Sequence, residues 1–307
     1  MTDPLIATRI ELRQWRQFVT VAEELHFGRA ARRLHMTQPP LTMAIRQIES
    51  ALGTPVFERT SRSVALSPAG SALLPLARSL LADAERMPAV AQAAARGSLG
   101  NLRLGFVSTL GYGLLPGWLR SFRDQNPGVE FSLREATFDV QMAAFDAGEI
   151  DAGFVSHAPG AEPPGFEVLG VADEPLVLAL PAGHALARAA DVPLLAALAE
   201  PLITFPRAIA PSLYDALLSF YGAHRVAPRI AQQAIQMQTI VNLVSAGMGV
   251  AWVPETVMQL QRPGVVYRRV PKGAAGWQSS LVWRAPALPV VQRFVAHVKD
   301  HPQADMS

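Results

Sequence analysis

Three amphipathic helices are predicted near the N-terminus from the spacing of apolar residues. The first has an apolar face that repeats every three or four residues over positions 12–25. A shorter pattern covers positions 27–34, and a third covers positions 38–52, with Thr37 as an N-cap and Gly53 as a C-cap glycine. Two helices joined by a turn of three or four residues are typical of a helix-turn-helix, although other small helical domains produce the same spacing.

A two-stranded hairpin is predicted directly after the third helix. Positions 56–59 and 63–66 form its strands, and the turn between them has Arg59 and Arg62 at its tip. A basic hairpin beside a helix-turn-helix is a winged arrangement, whose arginines can reach phosphates or a narrow minor groove. The residues of the third helix that lie away from its apolar stripe are Gln38, Thr42, Met43, Arg46 and Gln47.

A long helix is predicted over positions 67–96, followed by a hinge at 96–100. Its apolar residues step by three and four, which is typical of a pairing seam between two helices, with Asp83 as the one violation. Pro75 and Pro88 lie inside it, so we expect a bent or interrupted helix that still pairs two subunits. The alternative is a surface helix packed on its own domain. The other seam residues are Leu73, Leu76, Leu80, Met87, Val90 and Ala94.

Strands and helices alternate over the rest of the chain. A β-α-β-α-β order is predicted over positions 102–155, with one continuous helix at 110–125. This order is typical of a parallel sheet with helices on its faces. A second set of elements is predicted over positions 166–253, and a last strand and helix over 281–298.

Hydroxyl side chains stand where two of these helices begin. Ser108 and Thr109 end the first strand and open the next helix, and Thr137 has the equivalent position before the following helix. Ligands in open α/β sheets bind beyond the carboxyl ends of the strands. Hydroxyls and helix N–H groups there make a suitable anion site. Plain helix caps are the alternative interpretation.

Composition and charge narrow the class of protein. Half of the 307 residues are hydrophobic, which excludes a disordered chain, and the absence of cysteine excludes a disulfide scaffold and a thiol nucleophile. The net charge is only +2, but residues 1–96 hold 12 basic and 8 acidic residues. This excess has the sign expected of a nucleic-acid module joined to a nearly neutral domain. A signal peptide or membrane segment is not predicted, so we expect a cytoplasmic protein without a membrane partner.

Motifs of common enzymes do not occur. The seven histidines lack H-E-x-x-H spacing, and there is no G-x-S-x-G elbow or phosphate-binding loop. The glycine pairs at 111–113 and 247–249 fail the dinucleotide fingerprint. We therefore expect no catalytic residue, metal site or cofactor.

The run from Leu12 to Gly70 closely resembles the N-terminal domain of the LysR-type transcriptional regulators. Some thirty positions match in order and spacing, and the rest of the chain fits in length. Two departures are Met43, where the family usually has Arg, and Thr42, where it often has Ser. The matching runs are Phe18-Val19, Ala22-Glu23-Glu24, residues 26–35, Thr37-Gln38-Pro39-Pro40-Leu41, residues 45–49, Leu52-Gly53, Phe57-Glu58-Arg59 and residues 66–70.

The resemblance implies a multidomain α/β fold. It assigns a winged helix-turn-helix to 1–66, a linker and dimerisation helix to 67–96, and to 97–307 a two-lobed α/β effector domain resembling type 2 periplasmic binding proteins. The chain would cross between lobes near 165–167 and 265–270. Lobe I would then comprise 100–165 and 268–300, and lobe II 166–267. The family pairs as antiparallel dimers and often forms tetramers.

The resemblance also implies site residues. Hydroxyls matching Thr109 and Thr137 help family members hold a carboxylate, and Arg207 is a candidate to neutralise an acid. Phe205 and Trp252 are expected in the core rather than as stacking platforms. The expected DNA-binding residues are Arg29, Thr37, Gln38, Pro39, Thr42, Met43, Arg46, Arg59 and Arg62. The expected effector-binding residues are Ser108, Thr109, Thr137, Pro206, Arg207, Leu213, Gln236 and Gln238.

The function expected from this resemblance is ligand-regulated transcription. The protein would bind double-stranded DNA, and a small organic or aromatic acid between the lobes would alter DNA bending and contact with RNA polymerase. A two-lobed enzyme or a solute-binding protein with an accessory helical domain is the alternative. The absence of enzyme motifs opposes the enzyme, and the predicted wing and the missing signal peptide oppose the solute-binding protein.

Overall fold

The computed structural model describes residues 10–60, 63–270 and 276–302. The chain divides between Ala91 and Gln92 into two compact units. No helix in the described ranges is long and apolar enough to cross a lipid bilayer.

The first unit opens with three helices and a hairpin, as the apolar periodicity predicts. They are α1 (Leu12–Glu24), α2 (Phe27–Arg33), α3 (Gln38–Leu52), β1 (Phe57–Arg59) and β2 (Val64–Leu66). The two strands pair antiparallel, with Phe57 opposite Leu66. Phe18 of α1 packs on Phe57 with ring centroids 5.5 Å apart, and Ile45 and Ile48 of α3 are fully buried beside them. One apolar core therefore fixes the hairpin against the helices.

The helix ends of this unit agree only partly with the expected caps. Gly53 ends α3 in the left-handed conformation, with φ 69°, as predicted. Thr37 occupies the N-cap position with an extended backbone, but its hydroxyl makes no capping hydrogen bond, so that part of the prediction is wrong. Pro39 and Pro40 lie in the first turn, where a missing N–H costs no helical hydrogen bond. His26 caps α2, because its Nδ1 accepts from the N–H groups of Gly28 and Arg29 at 3.0 and 3.2 Å.

The long helix α4 (Pro68–Ala95) runs for 28 residues through both Pro75 and Pro88. The expected interruption is therefore absent. Each proline removes one backbone hydrogen bond, and the remaining bonds keep the helix continuous. Leu73 packs against the core of the first unit, whereas Leu76 and Met87 of the predicted seam are 66% and 67% exposed. The seam thus leaves an exposed apolar stripe on α4.

The second unit alternates strands and helices, with a 3-10 helix at Arg207–Ile209 and another at Glu255–Leu260. In chain order its elements are β3 (Leu99–Phe106), α5 (Ser108–Gly111), α6 (Leu115–Gln125), β4 (Gly128–Glu135), α7 (Phe138–Asp146), β5 (Ala152–His157), β6 (Glu167–Glu174), β7 (Leu176–Pro181), α8 (Ala185–Arg188), α9 (Leu194–Ala199), β8 (Leu202–Thr204), α10 (Pro211–Ala223), β9 (Ile230–Gln233), α11 (Met237–Ser245), β10 (Ala251–Pro254), β11 (Val265–Arg268), β12 (Trp277–Trp283) and α12 (Pro289–Asp300).

The predicted parallel sheet forms around β3. This strand pairs parallel with β4 and with β5, and the full five-stranded order is β4-β3-β5-β12-β6. The late strand β12 is inserted antiparallel between β5 and β6, so the end of the chain returns to this sheet as expected. Trp118 of α6 stacks on Phe154 of β5 with centroids 5.4 Å apart, which fixes that helix on the sheet face.

The strand pairing shows that the chain crosses between the two lobes at other positions than expected. We expected β6 to open the second lobe, but its residues pair with β12 from Glu167 opposite Trp283 to Glu174 opposite Trp277. β11, placed in the expected crossing at 265–270, instead pairs antiparallel with β7 in a three-stranded sheet of order β10-β7-β11. The chain therefore leaves the first sheet at Pro175 and returns to it after Arg268. Below, lobe I denotes residues 97–174 and 277–302, and lobe II denotes residues 175–270.

The helix expected over positions 110–125 is broken into α5 and α6. The proline ring of Pro116 would clash with the carbonyl of Tyr112, four residues earlier, if one helix ran through both. Gly113 adds backbone freedom at the break. Tyr112 is consequently placed in a turn rather than inside a helix.

Candidate DNA-binding face and ligand cleft

The outer face of α3 is exposed over most of its length. Its inner side is closed by buried apolar residues, so the helix cannot roll to hide the outer face. Met43 is 63% exposed there, and Arg46 is exposed without an ion-pair partner in the described part of the chain. Thr37 and Pro39 are also exposed at the start of the helix. An α-helix with such a face is of a size that fits the major groove of DNA.

Two polar side chains of this face already have partners within the protein. The hydroxyl of Thr42 donates to the carbonyl of Gln38 at 3.1 Å, and Gln47 Oε1 accepts from Gln14 Nε2 at 2.9 Å. The amide group of Gln38 is exposed and lies close to Gly28, where an added Cβ would be 3.5 Å from Gln38 Oε1. Gln38 and Arg46 are therefore the polar residues of the face best placed to bind bases or phosphates.

Arginines of α2 are held by acidic residues at the end of α1. Arg29 Nε lies 3.2 Å from Glu24 Oε2, and Arg33 Nη1 lies 2.9 Å from Glu23 and 3.3 Å from Glu24. Arg29 is still about half exposed, so it can reach a phosphate if it leaves or shares this pair.

Arg59 does not project freely from the wing tip, contrary to the expectation. Its Nη2 lies 2.9 Å from Glu49 Oε2, and its guanidinium lies over the ring of Phe27 at 4.8 Å from the centroid. The other oxygen of Glu49 accepts from the backbone N–H groups of Val56 and Phe57 at 3.1 and 3.4 Å. These contacts attach the wing to α3. The second predicted arginine, Arg62, lies outside the described residues.

A cleft opens between lobe I and lobe II, with a cavity volume of about 70 Å³. This volume has room for about five to seven water molecules, so it suits a small ligand. Five of the eight expected effector residues line it, namely Ser108, Thr109, Thr137, Leu213 and Gln236. Pro206, Arg207 and Gln238 do not. The lining residues that sequence reasoning missed are Val107, Glu135, Ala136, Phe138, Ser156, Phe205, Ile209, Ala210, Ile235, Met237 and Trp277.

Arg207 is turned to Asp215 instead of to the cleft. Its Nε and Nη2 each lie 2.7 Å from a carboxylate oxygen of Asp215, and its side chain is 61% exposed. This bidentate hydrogen bond raises the pKa of Arg207 and lowers the pKa of the Asp215 carboxyl. This pair is exposed at the surface, and Arg207 does not line the cleft in this structure.

Three longer helices begin at residues that line the cleft. They are α7, α10 and α11, whose N-cap residues are Thr137, Ala210 and Gln236. None of these caps uses its side chain to bind the first-turn N–H groups. The hydroxyl of Thr137 donates instead to Asp139. The positive ends of three helix dipoles therefore meet at one cleft, where first-turn N–H groups have no acceptor within their own helix; Pro211, the first residue of α10, has no N–H.

The remaining lining is mostly apolar, with the hydroxyls of Ser108, Thr109 and Ser156 and one charge at the rim. Glu135 is the only charged residue among the described residues that line the cleft, and it is exposed. Tyr112 stands near it. Burial raises the pKa of Tyr112, a hydrogen bond with Ser108 opposes that rise, and the charge of Glu135 adds to it. Phe205 and Trp252 both belong to the apolar core of lobe II, as expected. Trp277 belongs to the same core, and its ring lies 5.7 Å from that of Phe205, so the two nearly buried rings form part of both the core and the cleft lining.

Gln141 of α7 fixes the loop that carries Thr137. Its fully buried amide donates to the carbonyls of Ala136 and Phe154 at 3.0 and 3.1 Å. Space for this side chain exists because residue 153 is glycine, where an added Cβ would approach Gln141 Oε1 to 2.5 Å. The start of α7 is thereby held in place at the cleft.

Comparison with known proteins gives one consistent family. A family model for the "Bacterial regulatory helix-turn-helix protein, lysR family" matches residues 12–71, and one for the "LysR substrate binding domain" matches residues 95–303. The chain is 43% identical to the transcriptional regulator IlvR of Caulobacter vibrioides, over 93% of this chain and 97% of that protein. It is 37% identical to the regulator AlsR of Bacillus subtilis, over 85% and 86% of the two chains.

Solved structures agree with the sequence matches. The chain resembles full-length CbnR in complex with its target DNA, with a TM-score of 0.81 and 32% identity, over 95% of this chain and all of that one. A structure of CbnR described as a LysR family transcriptional regulator matches with a TM-score of 0.77 and 33% identity, over 94% and 99% of the two chains.

Proposed function

Because the chain belongs to the LysR family of DNA-binding transcriptional regulators, we propose that it reads its DNA site with α3 and responds to an organic acid bound in the cleft. Its relatives are regulators and the family is non-enzymatic, so the cleft serves binding rather than catalysis. The observation that supports DNA reading is the exposed face of α3, where the side chains of Gln38 and Arg46 have no hydrogen-bond or ion-pair partner among the described residues.

Gln38 is the proposed base-reading residue. Glutamine can bind the N6 and N7 positions of adenine with two hydrogen bonds. We expect Gln38→Ala to weaken binding to the cognate duplex by about 1–3 kcal/mol and to change binding to a random duplex little. Fluorescence anisotropy on both duplexes measures this, with Gln125→Ala in the second unit as the control. Equal losses on both duplexes would exclude a base-reading role for Gln38.

Phosphate contacts are assigned to arginines around α3. Arg46 is the strongest candidate, since its side chain has no partner within the described ranges. Arg29 and Arg59 must first give up part of an ion pair. Arg62 stays a candidate from sequence. Thr37, Pro39, Thr42 and Met43 complete the proposed interface, with the hydroxyl of Thr42 committed to the helix backbone.

The proposed ligand is a small organic acid with an apolar body. Its carboxylate would lie at the starts of α7, α10 and α11, where N–H groups and helix dipoles replace the missing cation. Its body would lie against Phe138, Phe205 and Trp277. A ligand that closes the lobes shifts the equilibrium between conformations by its differential affinity, and so changes the geometry presented to DNA.

A thermal-shift screen of small aliphatic and aromatic carboxylates on the full chain tests the ligand class. Thr109 is nearly buried and lines the cleft, so Thr109→Val should weaken the response to any acid that stabilises the wild type and leave DNA affinity unchanged. An unaltered dose response would return Thr109 to a purely structural role at the start of α5.

Self-association is proposed through α4. Its exposed stripe of Leu76, Leu80, Met87 and Val90 supports pairing of two chains, because large apolar side chains on one helix face gain free energy when covered. A dimer would present two copies of α3 to two half-sites, and a tetramer or contact with RNA polymerase would build on that dimer. We place this activity in the cytoplasm, where the chromosome of a bacterium lies.

A further inference from the structure

A line of buried polar groups leads from the cleft to a buried carboxylate. Ser156 lines the cleft although it is only 7% exposed, and its Oγ lies 3.1 Å from Ser279 Oγ on β12. Ser279 Oγ donates to Glu174 Oε1 at 2.8 Å. The other oxygen of Glu174 accepts from the hydroxyl of Thr256, in lobe II, at 2.7 Å. Glu174 is therefore joined to a hydroxyl of each lobe at the point where the chain crosses between them.

The direction of these hydrogen bonds follows from the proton count. An ionised carboxylate only accepts, and a serine hydroxyl has a single proton. Ser279 gives its proton to Glu174, so it must accept in its contact with Ser156. The proton of Ser156 thus points at Ser279 and away from the cleft. Ser156 can offer the cleft only the lone pairs of its oxygen.

We infer that Glu174 acts through Ser279 to fix Ser156 as a hydrogen-bond acceptor, so that the cleft selects acids carrying a hydroxyl or amino donor. This inference rests on the proposed organic-acid ligand and names its class more closely. In an acid with a keto oxygen facing Ser156, the keto oxygen and the Ser156 oxygen would both be acceptors and could form no hydrogen bond with each other.

Ligand sets with one carbon skeleton isolate this effect. One set is mandelate, phenylglyoxylate and phenylacetate, and the other is 2-hydroxy-3-methylbutanoate, 2-oxo-3-methylbutanoate and 3-methylbutanoate. Calorimetric titration of the full chain should show the hydroxy acid of the better-fitting set binding about tenfold more tightly than its oxo and unsubstituted partners. The oxo acid should be the weakest of the three.

Glu174→Gln tests the relay. Its side-chain amide can accept from Thr256 and donate to Ser279, which lets Ser279 turn its proton to Ser156 and Ser156 turn its own to the cleft. The preference for the hydroxy acid should disappear or reverse. Asp173→Asn is the matched control, because it removes an adjacent exposed carboxylate that binds Gln278, and it should keep the wild-type preference.

A third variant guards against a folding defect at Glu174. Ser156→Ala removes the acceptor itself and should reduce the hydroxy acid to the affinity of the unsubstituted acid. Two results would overturn the relay: tight binding of acids with no preference for a donor, or a preference that survives in both Glu174→Gln and Ser156→Ala. Either result would still agree with an organic acid as the ligand. If no acid of either set binds the wild type, the proposed ligand class fails and the inference fails with it.

Discussion

Glu49 is predicted to be the residue that holds the wing to α3. One of its oxygens accepts from two backbone N–H groups of residues that are themselves buried, Val56 and Phe57, and the other pairs with Arg59. Glu49→Ala removes all three contacts and supplies no replacement. The hairpin then loses its only side-chain attachment to the recognition helix among the described residues, apart from apolar packing.

The size of the effect follows from these contacts. An unpaired buried N–H group costs about 1–3 kcal/mol, and the 3.4 Å bond to Phe57 is the weaker of the two. The pair with Arg59 adds at most about 1 kcal/mol because both side chains keep some exposure to water. The sum is about 2–4 kcal/mol for Glu49→Ala. Glu49→Gln keeps an acceptor for both N–H groups, so it should cost about 1 kcal/mol.

Hydrogen exchange followed by mass spectrometry measures the effect on the full chain. A stability loss of about 2 kcal/mol or more corresponds to exchange about thirtyfold faster for peptides covering the hairpin. Glu49→Gln should change the same peptides by less than about tenfold, and peptides of the second unit should not change in either variant. Equal effects of the two substitutions would refute the importance of the backbone hydrogen bonds, and no effect would refute the attachment.

Two further predictions concern packing and pH. Gly70→Ala should destabilise the first unit by about 1–3 kcal/mol and lower its melting temperature, because an added Cβ would lie 2.0 Å from the carbonyl oxygen of Val56. Gly222→Ala in α10 is the control, since an added Cβ there meets open space. Equal melting temperatures of the two variants would contradict the prediction. Burial and the neighbouring His301 lower the pKa of His297 below its ordinary 6.5. The unfolded chain therefore gains a proton at a pH at which the folded state still resists it. The second unit should lose stability as the pH falls through 6.5, and less so in His297→Gln. A wild-type pH dependence in that variant would exclude His297 as its source.

Local structure was largely predictable from the sequence in the first unit. The apolar stripe of α3 and Gly53 mark that helix without reference to anything outside it, because period and caps are local properties. Thr37 was placed correctly at the N-cap, but its capping hydrogen bond does not form, since the rotamer of its hydroxyl depends on the surrounding residues. Arg59 was misplaced for a similar reason, as neither Glu49 nor Phe27 is near it along the chain.

In the second unit, the pairing between distant strands could not be predicted from the sequence. The apolar run of β6 predicts a strand but not its partner, and the pairing with β12 joins residues about a hundred positions apart. The lobe boundary therefore moved from 165–167 to Pro175. The rule that ligands bind beyond the carboxyl ends of strands predicted that Ser108, Thr109 and Thr137 line the cleft, and they do. The same rule applied to β5 would also have predicted Ser156 there. The orientation of the Arg207 side chain could not be predicted from sequence, because its pairing with Asp215 depends on the turn that leads into α10.

We propose that an acid in the cleft changes how the protein binds DNA. The most direct measurement is a nuclease footprint of the full chain on the DNA beside its own gene, with and without the tightest-binding acid from the screen. We expect protection of two half-sites separated by whole turns of the duplex, and a protected span that changes when the acid saturates the cleft. A footprint that is identical with saturating acid, or no protected site at all, would contradict it.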